Sequence, residues 1–272
     1  MQAFTVSPIP GTCATMEVYL RAGKYEYLEH SHRPCVLICP GGAYRFTAPR
    51  EAEPVALNFL QAGYQVCILH YSTRPSEDMP YLGSRPLLEA AAAIDYIRSH
   101  SEEWFIDPDK ITVCGFSAGG HVAGSIGVFG MDESRIPNAS SGAFRPNAMV
   151  LCYPVVTGGE FAHRESLYNL TGKTTVCPEN DYWSLEKYIT EFVCPAFIWH
   201  PMMDDSVPIE NSLMMATALQ RNGVPCELHM FTVGAHGLSI ATGEVGDSMP
   251  DIATWFTLCL NWLNRVGVGP GY

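Results

Sequence analysis

Apolar positions along the chain fall into two kinds of run that take turns. Short, continuous, β-rich runs predict strands at residues 35–39 (CVLIC), 66–69 (VCIL), 111–114 (ITVC), 149–152 (MVLC), 196–199 (AFIW) and 227–231. Longer stretches between them have helical spacing. Residues 51–62 put Val55, Ala56, Phe59 and Leu60 on one face and end at Gly63, a residue type that commonly closes helices. Residues 87–98, 117–129, 210–221 and 252–263 are further predicted helices. Strands that alternate with helices imply a parallel sheet with crossover helices. The unbroken apolar strands imply that this sheet is covered on both faces.

One stretch, 153–193, breaks the rhythm and is rich in Gly, Thr and aromatic residues. It is expected to be a small cap-like insertion between two strands of a single domain spanning 1–272, since long irregular segments in regular sheets usually form lids or binding loops. The 272 residues are 47% hydrophobic, enough for a sizeable core in one α/β domain, and only 16% charged, which argues against disorder. A formal net charge of −12 disfavours nucleic acids and anionic membranes as partners. The ten cysteines include no C-x-x-C pair, and most lie in apolar runs, so reduced buried thiols are expected. The opening MQAFTVSPIPGT has neither a basic segment nor a long apolar one, and no run approaches a membrane span, so a cytoplasmic location is expected.

The strongest chemical signal is Gly115-Phe116-Ser117-Ala118-Gly119, a G-x-S-x-G placed between a predicted strand and a predicted helix. In a turn that tight, flanking side chains would collide. The serine is then forced into a strained conformation that exposes its hydroxyl at a helix N-terminus. The plainer alternative is a glycine-rich turn with an incidental serine. A serine needs a base, and where such an elbow tops a parallel sheet the partners follow in the order acid, then histidine.

His236, in Gly234-Ala235-His236-Gly237 just after the last strand, is the expected base. His121 is expected to pack within the nucleophile helix, and His200 to support the site from behind. His30 and His32 read as a solvated turn rather than a metal site. His70, His100, His163 and His229 have no supporting context, although His163 lies in the insertion, from which it could approach substrate. The acid belongs to the stretch 199–208 (WHPMMDDSVP), where the D-x-x-V-P spacing favours Asp204 and leaves Asp205 as the alternative. Either could instead be a simple turn former. An oxyanion hole is expected from the amides of Gly42 and Ala43, in the loop after the first predicted strand, with Ala118. No P-loop, dinucleotide fingerprint or metal-ligand cluster is present, so no cofactor is expected.

Taken together, PGGAY at 40–44, Arg50-Glu51, GFSAGGH at 115–121, SLEK at 184–187, WHPMMDDSVPIENS at 199–212 and GAHGLS at 234–239 resemble a known family. They are similar to α/β-hydrolase esterases of the acetyl esterase and acetyl xylan esterase type, near the hormone-sensitive-lipase-like branch. The resemblance implies an α/β-hydrolase fold. It places the nucleophile, acid and base on Ser117, Asp204 and His236, and the oxyanion donors on Gly42, Ala43 and Ala118. It also implies hydrolysis of short acyl esters, with acetylated sugars such as xylan-derived oligosaccharides as substrate, and it leaves room for a homo-oligomer. Relatives commonly have His in place of Pro40 or Gly in place of Ala43, and the Ala43 methyl would narrow the acyl site. Two other readings compete: an amide hydrolase of arylformamidase or peptidase type, and a non-catalytic binding protein on the same scaffold. The aromatics Phe161, Tyr168, Tyr182 and Trp183 of the insertion could face a substrate or pin the insertion down.

Overall fold

The computed structural model describes residues 1–9, 11–21 and 32–271. Two strands that the apolar pattern did not reveal open the chain, β1 (Gln2–Val6) and β2 (Thr15–Leu20). They pair with each other in antiparallel fashion, and β2 continues antiparallel onto β4 (Gln65–His70). From there every pairing is parallel. The strands β3 (Arg33–Cys39), β5 (Ile106–Phe116), β6 (Ala148–Cys152), β7 (Ala196–Pro201) and β8 (Cys226–Phe231) complete one sheet in the order β1-β2-β4-β3-β5-β6-β7-β8. The expected mostly parallel sheet is therefore present, with an antiparallel edge added.

The strands that sequence reading did find are buried on both faces except β8, which is half-buried, and alternate residues feed two cores. Leu37, Cys39, Val113, Leu151 and Ile198 point to one face, where α2 (Arg85–Ser99), α4 (Ala118–Phe129) and α7 (Glu210–Arg221) pack. Val36, Ile38, Cys114, Val150 and Phe197 point to the other, against α1 (Glu53–Gln61) and α8 (Pro250–Arg265). The four residues predicted to form one face of α1 are its buried ones. Each large apolar side chain so buried stabilises the fold by roughly 1.5–3 kcal/mol. Helix α4 is buried all round, which explains its Gly- and Ala-rich composition. Strand β5 begins at Ile106 rather than 111, because its first turn of sequence, Asp107-Pro108-Asp109-Lys110, is polar and partly exposed.

Between β6 and β7 the chain leaves the sheet to form α5 (Arg164–Thr171), α6 (Pro178–Asp181) and a 3₁₀ turn at Leu185–Lys187, the short helix α3 (Ser101–Trp104) having preceded β5. This excursion is tied to the main body by hydrogen bonds. Asn169 Nδ2 donates to Ala43 O (2.9 Å), Leu82 N donates to Asn169 O (3.2 Å) and Asn211 Nδ2 of α7 donates to Phe161 O (2.8 Å). All ten cysteines are free, and those at 35, 39, 67, 114, 152 and 259 are buried. Burial pushes Cys194 and Cys226 up to about 12. Among the described residues no helix is long and apolar enough to cross a membrane.

Candidate active site

The carboxyl ends of β3, β5, β6, β7 and β8 all open on the same edge of the sheet, where ligands bind in open α/β folds. Strand β5 delivers Ser117, whose backbone lies at φ 53° and ψ −120°. A non-glycine residue held at positive φ costs about 1–3 kcal/mol unless its surroundings enforce it. Here they do: Ser117 N donates to Cys152 O (3.0 Å), and Ser117 O accepts from Val155 N (3.0 Å) and His121 N (3.2 Å). The turn closes so tightly that a Cβ on Gly119 would lie 2.0 Å from Cys39 O.

The loop after β8 brings His236 Nε2 to 2.8 Å from Ser117 Oγ. Its Nδ1 lies 2.7 Å from Asp204 Oδ2, on the loop after β7. Asp204 as a carboxylate can only accept, so Nδ1 holds the proton and Nε2 is left to accept from the serine hydroxyl. The Asp204 side chain is fully buried and satisfied on both oxygens. Oδ1 accepts from the amides of Ser206 and Val207 (2.9 Å each), and Oδ2 also accepts from His200 Nε2 (3.2 Å). Burial by itself would raise the Asp204 pKa. The hydrogen bonds from His200 and His236, the His236 charge and the Val207 amide outweigh it and hold the group far below the usual carboxylate range. Asp205 is exposed and, among the described residues, accepts only from the neighbouring Ser206 hydroxyl (3.3 Å).

Gly42 and Ala43 have φ of 124° and 53° and line the pocket in front of Ser117. A Cβ on Gly42 would lie 2.2 Å from Phe46 O, so only glycine fits there. A trans peptide points its N–H opposite to its C=O. Gly41 O accepts from Ala48 N (2.9 Å), and Gly42 O accepts from Arg45 N (2.8 Å). The N–H groups of Gly42 and Ala43 are thereby turned away from these bonds. Among the described residues neither donates to a protein acceptor. The Ala118 amide, in the first turn of α4, has no partner within the helix by position.

The pocket holds about 280 Å³, and its remaining wall includes Arg45, Phe46, Arg50, Glu51, His163 and Glu165. Arg45 and Glu165 form an exposed ion pair (3.1 Å) between the oxyanion loop and α5. His163 Nδ1 bonds Ser166 Oγ (2.8 Å), and burial together with the charge of His236 lowers its pKa. His121 is buried between Tyr44 Oη (2.7 Å) and Trp183 O (2.9 Å), and burial pushes its pKa down to about 4. Of the remaining histidines, His70 bonds Thr47 and Glu17, His100 stacks between Tyr96 and Trp104, and His229 pairs with Glu227. His32 pairs with Glu102 (3.3 Å), and His30 lies outside the described residues. Tyr182 and Trp183 line a different cavity, away from Ser117.

Three polar residues beside the site escaped sequence reading in any functional sense: Glu51, Tyr153 and Asn169. Tyr153 directly follows a strand whose carboxyl end faces the site, and that position was the available signal. Nothing in the sequence marks Glu51 or Asn169 as buried.

The profile of the BD-FAE family matches residues 16–219. Endo-1,4-beta-xylanase B of Butyrivibrio fibrisolvens is 35% identical over 221 residues, covering 81% of this chain and 35% of that protein. The acetylxylan esterase of Xylanibacter ruminicola is 27% identical over 214 residues, covering 75% of this chain and 40% of that protein. The chain thus spans well under half the length of these two relatives. Among solved structures, an acetyl ester-xyloside bifunctional hydrolase from Caldicellulosiruptor lactoaceticus is 33% identical with a TM-score of 0.81, covering 97% of this chain and 92% of that one. A carboxylesterase from Lactobacillus plantarum is 26% identical with a TM-score of 0.86 and full coverage of both chains.

Proposed function

This chain belongs to the BD-FAE family and has the α/β-hydrolase fold, and from that premise we propose that it is a serine carboxylesterase that removes acetyl groups from xylan-derived oligosaccharides. The observation that carries the reading is the unbroken hydrogen-bonded series Asp204–His236–Ser117, at 2.7 and 2.8 Å, opening onto a pocket with unpartnered backbone amides.

In this reading Ser117 Oγ attacks the acyl carbonyl while His236 Nε2 takes its proton. Asp204 keeps the imidazole in the correct tautomer and stabilises the imidazolium without being protonated itself. The negative charge that develops on the carbonyl oxygen is met by the amides of Gly42, Ala43 and Ala118. Collapse of the tetrahedral intermediate expels the sugar alkoxide, which recovers the proton from His236. Water, activated by the same histidine, then hydrolyses the acyl-serine and releases acetate. The small pocket and the Ala43 methyl favour a short acyl group. The sugar assignment draws on the relatives, one named an acetylxylan esterase and another an acetyl ester-xyloside bifunctional hydrolase.

The test is acetate release from an acetylated xylo-oligosaccharide beside a series of 4-nitrophenyl esters from acetyl to octanoyl, with Ser117→Ala as control. The expected result is Ser117-dependent deacetylation and a preference for acetyl. Turnover of the small esters alone would keep the esterase and remove the sugar. A rate maximum at octanoyl would remove the short-acyl assignment.

A further inference from the structure

Two polar side chains of the site are buried, bonded to each other, and unused by the mechanism above. Glu51 has only 2% of its surface exposed, and its carboxyl group accepts on both oxygens. Oε2 takes the Gly41 N–H (2.8 Å), and Oε1 takes the Tyr153 hydroxyl (2.8 Å). Tyr153 Oη in turn accepts from Ser239 N (2.8 Å), on the loop that presents His236. The Tyr153 ring also stands edge-on to the His236 imidazole, with centroids 4.9 Å apart. Ser239 is held further by its hydroxyl to Arg50 O (2.5 Å) and by Trp255 Nε1 to its carbonyl (3.0 Å).

These bonds join parts of the site that are remote in sequence. Gly41 immediately precedes the two proposed oxyanion donors and lies against the nucleophile: a Cβ on it would be 2.9 Å from the Ser117 Cβ and 2.7 Å from Glu51 Oε2. Ser239 follows the proposed base by three residues. Burial, reinforced by the neighbouring Glu51 charge, drives the Tyr153 phenol well above its ordinary pKa. It therefore remains an O–H donor at any working pH. Tyr153 itself is held at φ 38°, a strained value that aims its hydroxyl inward between the two loops.

We propose that Glu51 and Tyr153 act as one positioning relay that aligns the oxyanion loop with the histidine loop. The inference rests on the serine-esterase reading of the site. Among the described residues neither side chain hydrogen-bonds Ser117 Oγ or the His236 nitrogens. Each acts by fixing backbone that does, and misplacement of such groups by a fraction of an ångström is costly in rate.

The experiment measures 4-nitrophenyl acetate turnover by the full chain and its Tyr153→Phe, Glu51→Gln and double variants, with Ser117→Ala alongside. Phenylalanine keeps the ring against His236 and removes only the hydroxyl. Glutamine keeps the shape but replaces one acceptor with a donor. Each single change is expected to lower kcat about tenfold with KM nearly unchanged, because alignment in the transition state is lost rather than substrate binding. The double variant is expected to lose no more than the worse single, the signature of residues that work as a unit. Singles within about twofold of the parent, or losses that multiply in the double variant, would overturn the relay. If Glu51→Gln fails to fold, the kcat of Tyr153→Phe decides alone. Turnover that survives Ser117→Ala would sink the esterase reading itself, a separate outcome.

Discussion

Helix α5 separates two cavities that differ in kind. At its amino end, His163 and Glu165 join Ser117, His236, Arg45 and Arg50 around a space of about 280 Å³. At its carboxyl end, Leu170 and Thr171 join Tyr81, Pro178, Tyr182 and Trp183 around one of about 500 Å³. The larger space is lined mostly by apolar and aromatic groups, and the smaller one holds the Ser117 hydroxyl with His236 Nε2 bonded to it. Volume and apolar lining favour binding in general. Chemistry needs donors and acceptors aimed at one point. The proposed chemistry therefore belongs to the smaller cavity, and this contrast can be broken or sharpened by substitution.

The largest effect is expected at its centre. Ser117→Ala should lower ester turnover by roughly 10⁶-fold, measured as kcat on 4-nitrophenyl acetate. Next comes the acid, where two adjacent carboxylates are chemically alike and geometrically different. Asp204→Ala should cost on the order of 10⁴-fold in kcat, and Asp205→Ala, exposed and bonded only to Ser206, should stay near the parent rate. Equal losses would mean that proximity in sequence matters more than the 2.7 Å contact with His236.

A smaller effect, in stability rather than rate, is expected at His121, which bridges Tyr44 beside the catalytic cavity and Trp183 beside the other. Its folded pKa of about 4 lies below the ordinary 6.5, so the unfolded chain binds the extra proton between those values. Stability from this group is fully present above pH 6.5 and is lost as pH falls toward 4, by about 3 kcal/mol. Denaturant unfolding across that range should show a shallower acid slope for His121→Gln. The smallest effect is expected in the larger cavity, where Tyr182→Ala should leave 4-nitrophenyl acetate turnover within about twofold. A large loss there would join the two spaces into one functional site.

How much of this could be read from the sequence varied with how local the cause was. The elbow was legible because strand, G-x-S-x-G and helix are contiguous, and each glycine answers to a contact a few residues away or one strand over. Five of the six parallel strands and the main helices were legible because burial on both faces leaves unbroken apolar runs, the half-buried β8 being the exception. Strand β2 had a readable alternation, with Met16, Val18 and Leu20 buried and their neighbours half-exposed, that went unread. Strand β1 is almost wholly exposed, so no apolar pattern exists to find. The Glu51–Tyr153 bond spans 102 positions and depends on how two loops meet. No local pattern encodes it. The D-x-x-V-P spacing pointed toward Asp204, yet the two aspartates differ only in what surrounds them once folded.

The bond from Asn169 to the Ala43 carbonyl has a consequence for traffic through the site. Asn169, on α5, braces the loop that carries the proposed oxyanion donors, and the Arg45–Glu165 pair repeats the link at the rim. Movement of α5 away from the cleft would have to break both links. Opening of the cleft at α5 and alignment of the proposed oxyanion loop are thus coupled.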